Sequence, residues 1–329
     1  MRKLTNVLWM TLAISMLVAQ SCCVFFDTDE DGIGDEIDNC PSVANVDQED
    51  RDNNRVGDAC DYASPDGSIQ EIVDSAARGS TVALGPYIYE ECVFLWQPLN
   101  LTGMPGKTTL QDSGDCAPTL YIGEESISAD KFVIYGIDIR NRMPESDRVH
   151  AMCIEGANVK VEASRFEATN NGAVEIGHAV DATFVNTAFM NSTYGVDSIG
   201  YSHFVCMHCT FSKNRQAAMR FFINGENTTW RNSIVAENNV AYTKKTGGPP
   251  VISGRNIVWN TMGLPEELDG NPNVINKDPL LTDGLHFQQN SPAKHAAEGS
   301  SFKYDLFGQK RDHFPDIGAV EYRAITMHQ

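Results

Sequence analysis

Four segments decide the fold: EASRFEATNN (162–171), NTAFMNST (186–193), HCTFSKNR (208–215) and RNSIVAENN (231–239). Each sets one large apolar residue in a polar stretch: Phe166, Phe189, Phe211 and Ile234, spaced 23, 22 and 23 apart. Asparagines follow them (Asn170, Asn171, Asn191, Asn214, Asn238, Asn239), residues whose side chains cap turns. Upstream of each anchor a small residue opens an alternating strand: AMCIE from 151, AVEIG from 173, GVDSI from 195 and AMRFF from 218. A second alternating strand is marked by Val159/Val161, Ala182/Phe184 and Phe204/Cys206. Two strands and their turns in ~22 residues is too short for a βαβ unit, and periods of this size mean stacked coils. The expectation is an all-β chain: a right-handed parallel β-helix solenoid.

Working outward, Ser68-Ile69-Gln70-Glu71 reads as a capping box. Ile69, Ile72, Val73 and Ala76 form one helical face and Gly79 stops the helix. This helix is expected to cap the exposed first coil. Short strands follow at Thr81–Leu84, Cys92–Leu95 and Asn100–Thr102.

Residues 27–61 differ in kind. They hold 13 acidic and 2 basic side chains, more than half of the net charge of −19 carried by 329 residues. That acidity argues against nucleic acid, which needs a basic face. A twelve-residue loop from Asp27 places oxygens at Asp27, Asp29, Asp31, Asp35 and Asp38, with Gly32 at the sharp turn and the Ile33 carbonyl available. A second loop offers Asp50, Asp52, Asn54, Asp58 and Asp61, with the Val56 carbonyl. Ca²⁺ takes 6–8 oxygen ligands, and this is calcium-loop spacing. Asn54, and Arg55 where glycine would ease the turn, predict a weaker second site.

The N-terminus is basic at Arg2 and Lys3, then apolar over Leu8–Val18. Residues 1–22 therefore read as a signal peptide, too short for a spanning helix. Leu17-Val18-Ala19-Gln20-Ser21-Cys22 resembles a bacterial lipoprotein signal, which implies lipidation of Cys22; ordinary cleavage near Ala19–Ser21 is the alternative. A lipid anchor would be the chain's membrane contact. The expected location is exported: an outer-membrane or cell-surface lipoprotein, or extracellular.

The pattern of residues 25–61, with Asp-Asn-Cys-Pro at 38–41 and Gly-Asp-Ala-Cys-Asp at 57–61, resembles the thrombospondin type 3 repeat. The resemblance implies a small irregular calcium-binding module, with Cys40 paired to Cys60. A closed loop of ~20 residues gains roughly 3 kcal/mol from such a bond. Residues 62–67 read as a linker. The stretch SIQEIVDSAARGSTVALGPYIYEECVFL (68–95) resembles the opening of pectate-lyase-like β-helix proteins. The tail DPLLTDGLHFQQNSPAKHAAEG (278–299) with DLFGQKRDHFPDIGAVEY (305–322) resembles the C-terminus of the choice-of-anchor Q type. A β-helix domain over 68–323 is thereby implied, with 278–323 as its C-terminal cap.

Outward positions of the first strand stack Cys153, Glu175, Asp197 and Arg220 in successive coils, ~4.8 Å apart. Two carboxylates beside an arginine could grip or cleave a sugar; a solvated ladder of charge is the alternative. Trp96, Tyr194 and Tyr201 are candidates for stacking on sugar rings. Cys206-Met207-His208-Cys209, with His203, invites zinc, but a second ligand pair is not evident, so buried thiols or a local disulfide are expected. The pairing of Cys92, Cys116, Cys153, Cys206 and Cys209 stays open. The functional expectation is a calcium-binding surface protein whose β-helix binds a polysaccharide or cell-surface glycan. A polysaccharide lyase or glycoside hydrolase acting on the same flank is the alternative.

Overall fold

The computed structural model describes residues 27, 31–34, 37–40, 45–48, 57, 63, 67–123, 130–143, 149–222 and 227–323. The signal segment, with Cys22, lies outside them, as do Asp29, Asp35, Asp50, Asp52, Asn54, Val56, Asp58, Cys60 and Asp61. Contacts divide the chain into two units, Met1–Asp61 and Tyr62–Gln329.

The second unit opens with a helix, α1 (Ile69–Ser75), whose N-cap Ser68 accepts a hydrogen bond from the Glu71 amide. Further capping comes from a carboxylate outside the helix. Glu91 accepts from the Ser68 hydroxyl (2.6 Å) and from the amides of Ile69 (2.7 Å) and Gln70 (3.2 Å). A carboxylate at a helix N-terminus satisfies orphan amides and complements the dipole. Ile69 and Val73 are buried and Ala76 packs against the core, but Ile72 is exposed, so the apolar face is narrower than expected.

Every third strand then joins the same sheet, and every pairing within the three sheets is parallel. The first sheet runs from Thr81–Ala83 to Val251–Ser253, the second from Ile88–Glu90 to Val274–Ile275, and the third from Val93–Leu95 to Val240–Lys244. This is a parallel β-helix. Each coil holds three strands rather than two, because the apolar anchors themselves lie in strands such as Arg165–Ala168 and Ala188–Met190.

The core is a set of stacked ladders. Val159, Ala182 and Phe204 align, as do Val161, Phe184 and Cys206, and all are buried. Phe166, Phe189 and Phe211 stack with centroids 5.7 and 4.6 Å apart. The fourth anchor is Val235, not Ile234: Phe211 pairs with Val235, and Ile234 with Thr210. The coil through Ala217–Phe221 is longer: Asp197 pairs with Arg220 and Phe204 with Thr228, offsets of 23 and 24 where Ala182 to Phe204 is 22. The added length shifts the register by one and turns Ile234 to the outside.

Between the first two strands of successive coils, Ala163, Asn186, His208 and Asn232 take φ of 50, 48, 52 and 51°. Ser164, Thr187, Cys209 and Ser233 follow, each bonding its side chain to the carbonyl two residues back. After the second strand, Asn214, Asn238 and Asn260 form a ladder. Asn214 donates to the Phe189 carbonyl, Asn238 to Phe211 and Asn260 to Val235. Asn170 and Asn191 are exposed instead.

Leu268 and Leu264 pack on the last coil. Residues 278–323, expected at that end, run instead along the outer face of the second sheet. Leu306, Ala319 and Val320 pack on Ala188 and Met190, while Phe287, Ala293 and Ile317 pack on Ile234, Ala236 and Ile257. Arg311 is buried there, pairing with Glu321 at 2.9 Å and donating to Asn186 Oδ1 and the Gly318 carbonyl.

Candidate functional site

No comparable strap packs on the third sheet among the described residues, and its outward positions carry the chemistry. The register runs Phe94, Tyr121, Cys153, Glu175, Asp197, Arg220, Thr243. The stack of Cys153, Glu175, Asp197 and Arg220 is therefore brought together in the expected order.

Its members differ in environment. Asp197 has a side chain only 2% exposed and accepts two hydrogen bonds from Arg220, one at 2.8 Å from Nε. Arg220 in turn lies 4.1 Å over the Tyr194 ring. Burial pushes the Asp197 carboxyl up, but His150 and Arg220 together outweigh it and hold it below the usual range. A carboxylate so held is a poor proton donor at neutral pH. Glu175 is 25% exposed and keeps solvent access.

His150, in the turn before the strand Met152–Glu155, joins them. Its ring is 1% exposed, and Nε2 lies 3.6 Å from Glu175 Oε2 and 3.8 Å from Asp197 Oδ2. No acceptor is within hydrogen-bonding distance of that nitrogen. A Cβ on Gly172 would come within 3.0 Å of the Asp197 Cβ and 3.1 Å of the His150 ring, so glycine there makes room for the imidazole. Burial, then the Glu175 carboxylate, drives the Cys153 thiol well above its ordinary pKa. His150 was not singled out from sequence because it falls outside the alternating strand.

Beside Cys153 begins an aromatic platform. Trp96 is 57% exposed; its ring centroid is 5.0 Å from Tyr121 and 6.2 Å from Phe94, nearly parallel to the latter. Of the aromatics expected to stack on sugars, Tyr201 is also exposed, whereas Tyr194 is buried under Arg220. The alternation Val93-Phe94-Leu95 was the available signal for Phe94.

The remaining cysteines divide. Cys92 and Cys116 form a disulfide, with Cα atoms 6.2 Å apart. Cys206 and Cys209 are free buried thiols, and His203 is exposed on Asp181, so these residues do not assemble a zinc site.

In the first unit, Asp27, Asp31, Ile33 and Asp38 are described. The Asp27 carboxylate accepts from the amides of Asp31 (3.2 Å) and Gly32 (2.9 Å), and Asp31 accepts from Ile33 (2.8 Å) and Asn45 (2.7 Å). Gly32 sits at φ +96°, where a side chain would strain the turn. The described side chains offered there, Asp27, Asp31 and Asp38, are all oxygen donors, which fits a hard divalent cation. Cys40 is disulfide-bonded, and its expected partner Cys60 lies outside the described residues.

Comparison with known proteins agrees with the reading of the first unit. The family model of the thrombospondin type 3 repeat, a calcium-binding module, matches residues 22–48 and 49–74. Solved structures similar to the chain include a pectin methylesterase from Yersinia enterocolitica (13% identity over 59% of this chain and 69% of that one, TM-score 0.37). Pectin methylesterase PemA from Erwinia chrysanthemi is similar at 12% identity over 60% and 68%, TM-score 0.33. Pectate lyase Pel9A is similar at 10% over 80% and 96%, TM-score 0.35. No curated protein matches the chain in sequence.

Proposed function

We propose that the chain is an exported surface protein, held at the outer membrane through lipidated Cys22 or released outside the cell, that binds Ca²⁺ in its first unit and an extended polysaccharide along the third sheet. Calcium ligands are Asp27, Asp29, Asp31, Asp35, Asp38 and the Ile33 carbonyl in one loop. Asp50, Asp52, Asn54, Asp58, Asp61 and the Val56 carbonyl serve the other, with Cys40–Cys60 closing the module. One observation carries the glycan reading: the half-exposed Phe94–Trp96–Tyr121 platform is continuous with the polar ladder Glu175–Asp197–Arg220. Aromatic faces stack on the apolar faces of sugar rings, and the solvent-reaching rungs Glu175 and Arg220 supply hydrogen bonds. At ~4.8 Å per coil, Phe94 to Arg220 spans about 24 Å, the reach of a chain rather than a single ring.

Cleavage has less support, because Asp197 and Arg220 neutralise one another. The test is retention of the Ca²⁺-loaded protein on a polysaccharide panel, with reducing ends and unsaturated products scored in parallel. Trp96→Ala should weaken retention by about tenfold or more, the loss of roughly 1.4 kcal/mol of contact. No retention on any panel member, or retention indifferent to Trp96, sinks the binding reading; turnover would replace it with the enzymatic one.

A further inference from the structure

We propose that His150, Cys153 and Glu175 form a binding site for a zinc-class transition-metal ion on the third sheet. One ligand atom from each lies within 4.8 Å of the other two. The 3.6 Å between His150 Nε2 and Glu175 Oε2 matches the ~3.4 Å edge expected when nitrogen and oxygen each sit ~2.1 Å from a tetrahedral zinc. The Nε2 atom is the second observation. It is buried, makes no close hydrogen bond and faces the Glu175 and Asp197 carboxylates at 3.6 and 3.8 Å. A buried polar atom without a close hydrogen bond is costly, and a cation would remove that cost.

Thiolate, imidazole and carboxylate together select zinc-class ions over Ca²⁺, which takes oxygen alone. The acidic loops of the first unit have the opposite preference, so the two ions sort to different units. Asp197 Oδ2 lies 3.8 Å from His150 Nε2, but Arg220 already holds both Asp197 oxygens. The site thus has three protein ligands and a fourth position for water or another small ligand, with solvent access along Glu175. Gly172 leaves room for the site, since a Cβ there would crowd the His150 ring at 3.1 Å. Glu175 is shared with the proposed glycan face, but the readout is spectroscopic and does not depend on glycan binding.

The experiment uses the tag-free mature chain, saturated with Ca²⁺ and titrated with Co²⁺ under reducing conditions. One equivalent should bind with a thiolate-to-cobalt charge-transfer band that Zn²⁺ abolishes by displacement. Cys153→Ser should lose the band. Glu175→Gln should weaken binding by more than about tenfold, since even partners of metal ligands contribute about 10–100-fold. Cys209→Ser, which places there the residue found in the same turn at Ser164 and Ser233, should leave the band unchanged. In the unsubstituted chain, Zn²⁺ should slow alkylation of Cys153, read by peptide mass, whatever the variants do to folding. Absence of a band, a band that survives Cys153→Ser, or alkylation of Cys153 that ignores Zn²⁺ overturns the proposal.

Discussion

The two units invert one another. In the first, the apolar side chains Ile37 and Val46 are 76% and 69% exposed, while Asp38 and Asn45 are buried. In the second, phenylalanines stack inside and charge stays mostly outside. One unit holds a cross-link and buried polar groups, and its proposed cation would supply the rest of its order; the other is held by apolar rungs repeated coil after coil. The same chain thus uses two sources of stability, and each answers to a different perturbation.

The largest expected effect of a perturbation is confined to the first unit. Chelating Ca²⁺ should unfold it almost completely, because the clustered carboxylates then repel without a counter-charge. Limited proteolysis should cut within residues 27–61 while the β-helix circular dichroism stays constant. Calcium-independent protease resistance there would break the comparison.

Next comes the core of the second unit. Phe189 stacks on Phe166 and Phe211 and meets Phe184 edge-on at 5.2 Å. Phe189→Ala should cost about 3–5 kcal/mol in denaturant unfolding of the β-helix. Protease cutting of the first unit should not change.

The smallest effect sharpens the electrostatic side. Burial, then the charge of Arg311, pushes His208 down to about 3. Its neutral form is favoured in the fold, so its contribution is complete above its ordinary value of 6.5 and is lost as pH falls from there toward 3. Asp316, pushed up to about 6 by burial, acts with the opposite sign, so the difference between variant and parent is the useful quantity. His208→Asn places there the residue that Asn186 and Asn232 supply in the same turn. The parent should lose up to about 1.4 kcal/mol per pH unit relative to this variant below that value, read as Tm against pH. Parallel Tm curves would remove His208 as the source.

Much of the β-helix was legible because a solenoid writes its fold as a period. Val159/Val161, Ala182/Phe184 and Phe204/Cys206 fell into their rungs, and the outward stack from Cys153 to Arg220 followed from the same alternation. What escaped did so for local reasons. Lengthening of the coil around Ala217–Phe221 moved the rung from Ile234 to Val235, and spacing alone does not say where extra residues lie. His150 sits in a turn and reaches the ladder only through stacking. Phe94 and Tyr121 lie in early coils whose repeats were too irregular to align. The partner of the helix cap, Glu91, is 20 residues beyond Glu71 and carries no local signature.

A solenoid whose coils touch only their neighbours behaves as a one-dimensional array and frays from its ends. The C-terminal strap changes that. Phe307 covers Gly106, Tyr304 accepts from Asn186, Gly284 accepts from Ser212 and Glu298 accepts from Asn232. One segment thereby fastens an early coil, two middle ones and a late one, like a spine binding the pages of a book. Peeling any single coil means lifting the spine, so the β-helix should open as one cooperative event and leave the third sheet a rigid, ruler-like surface.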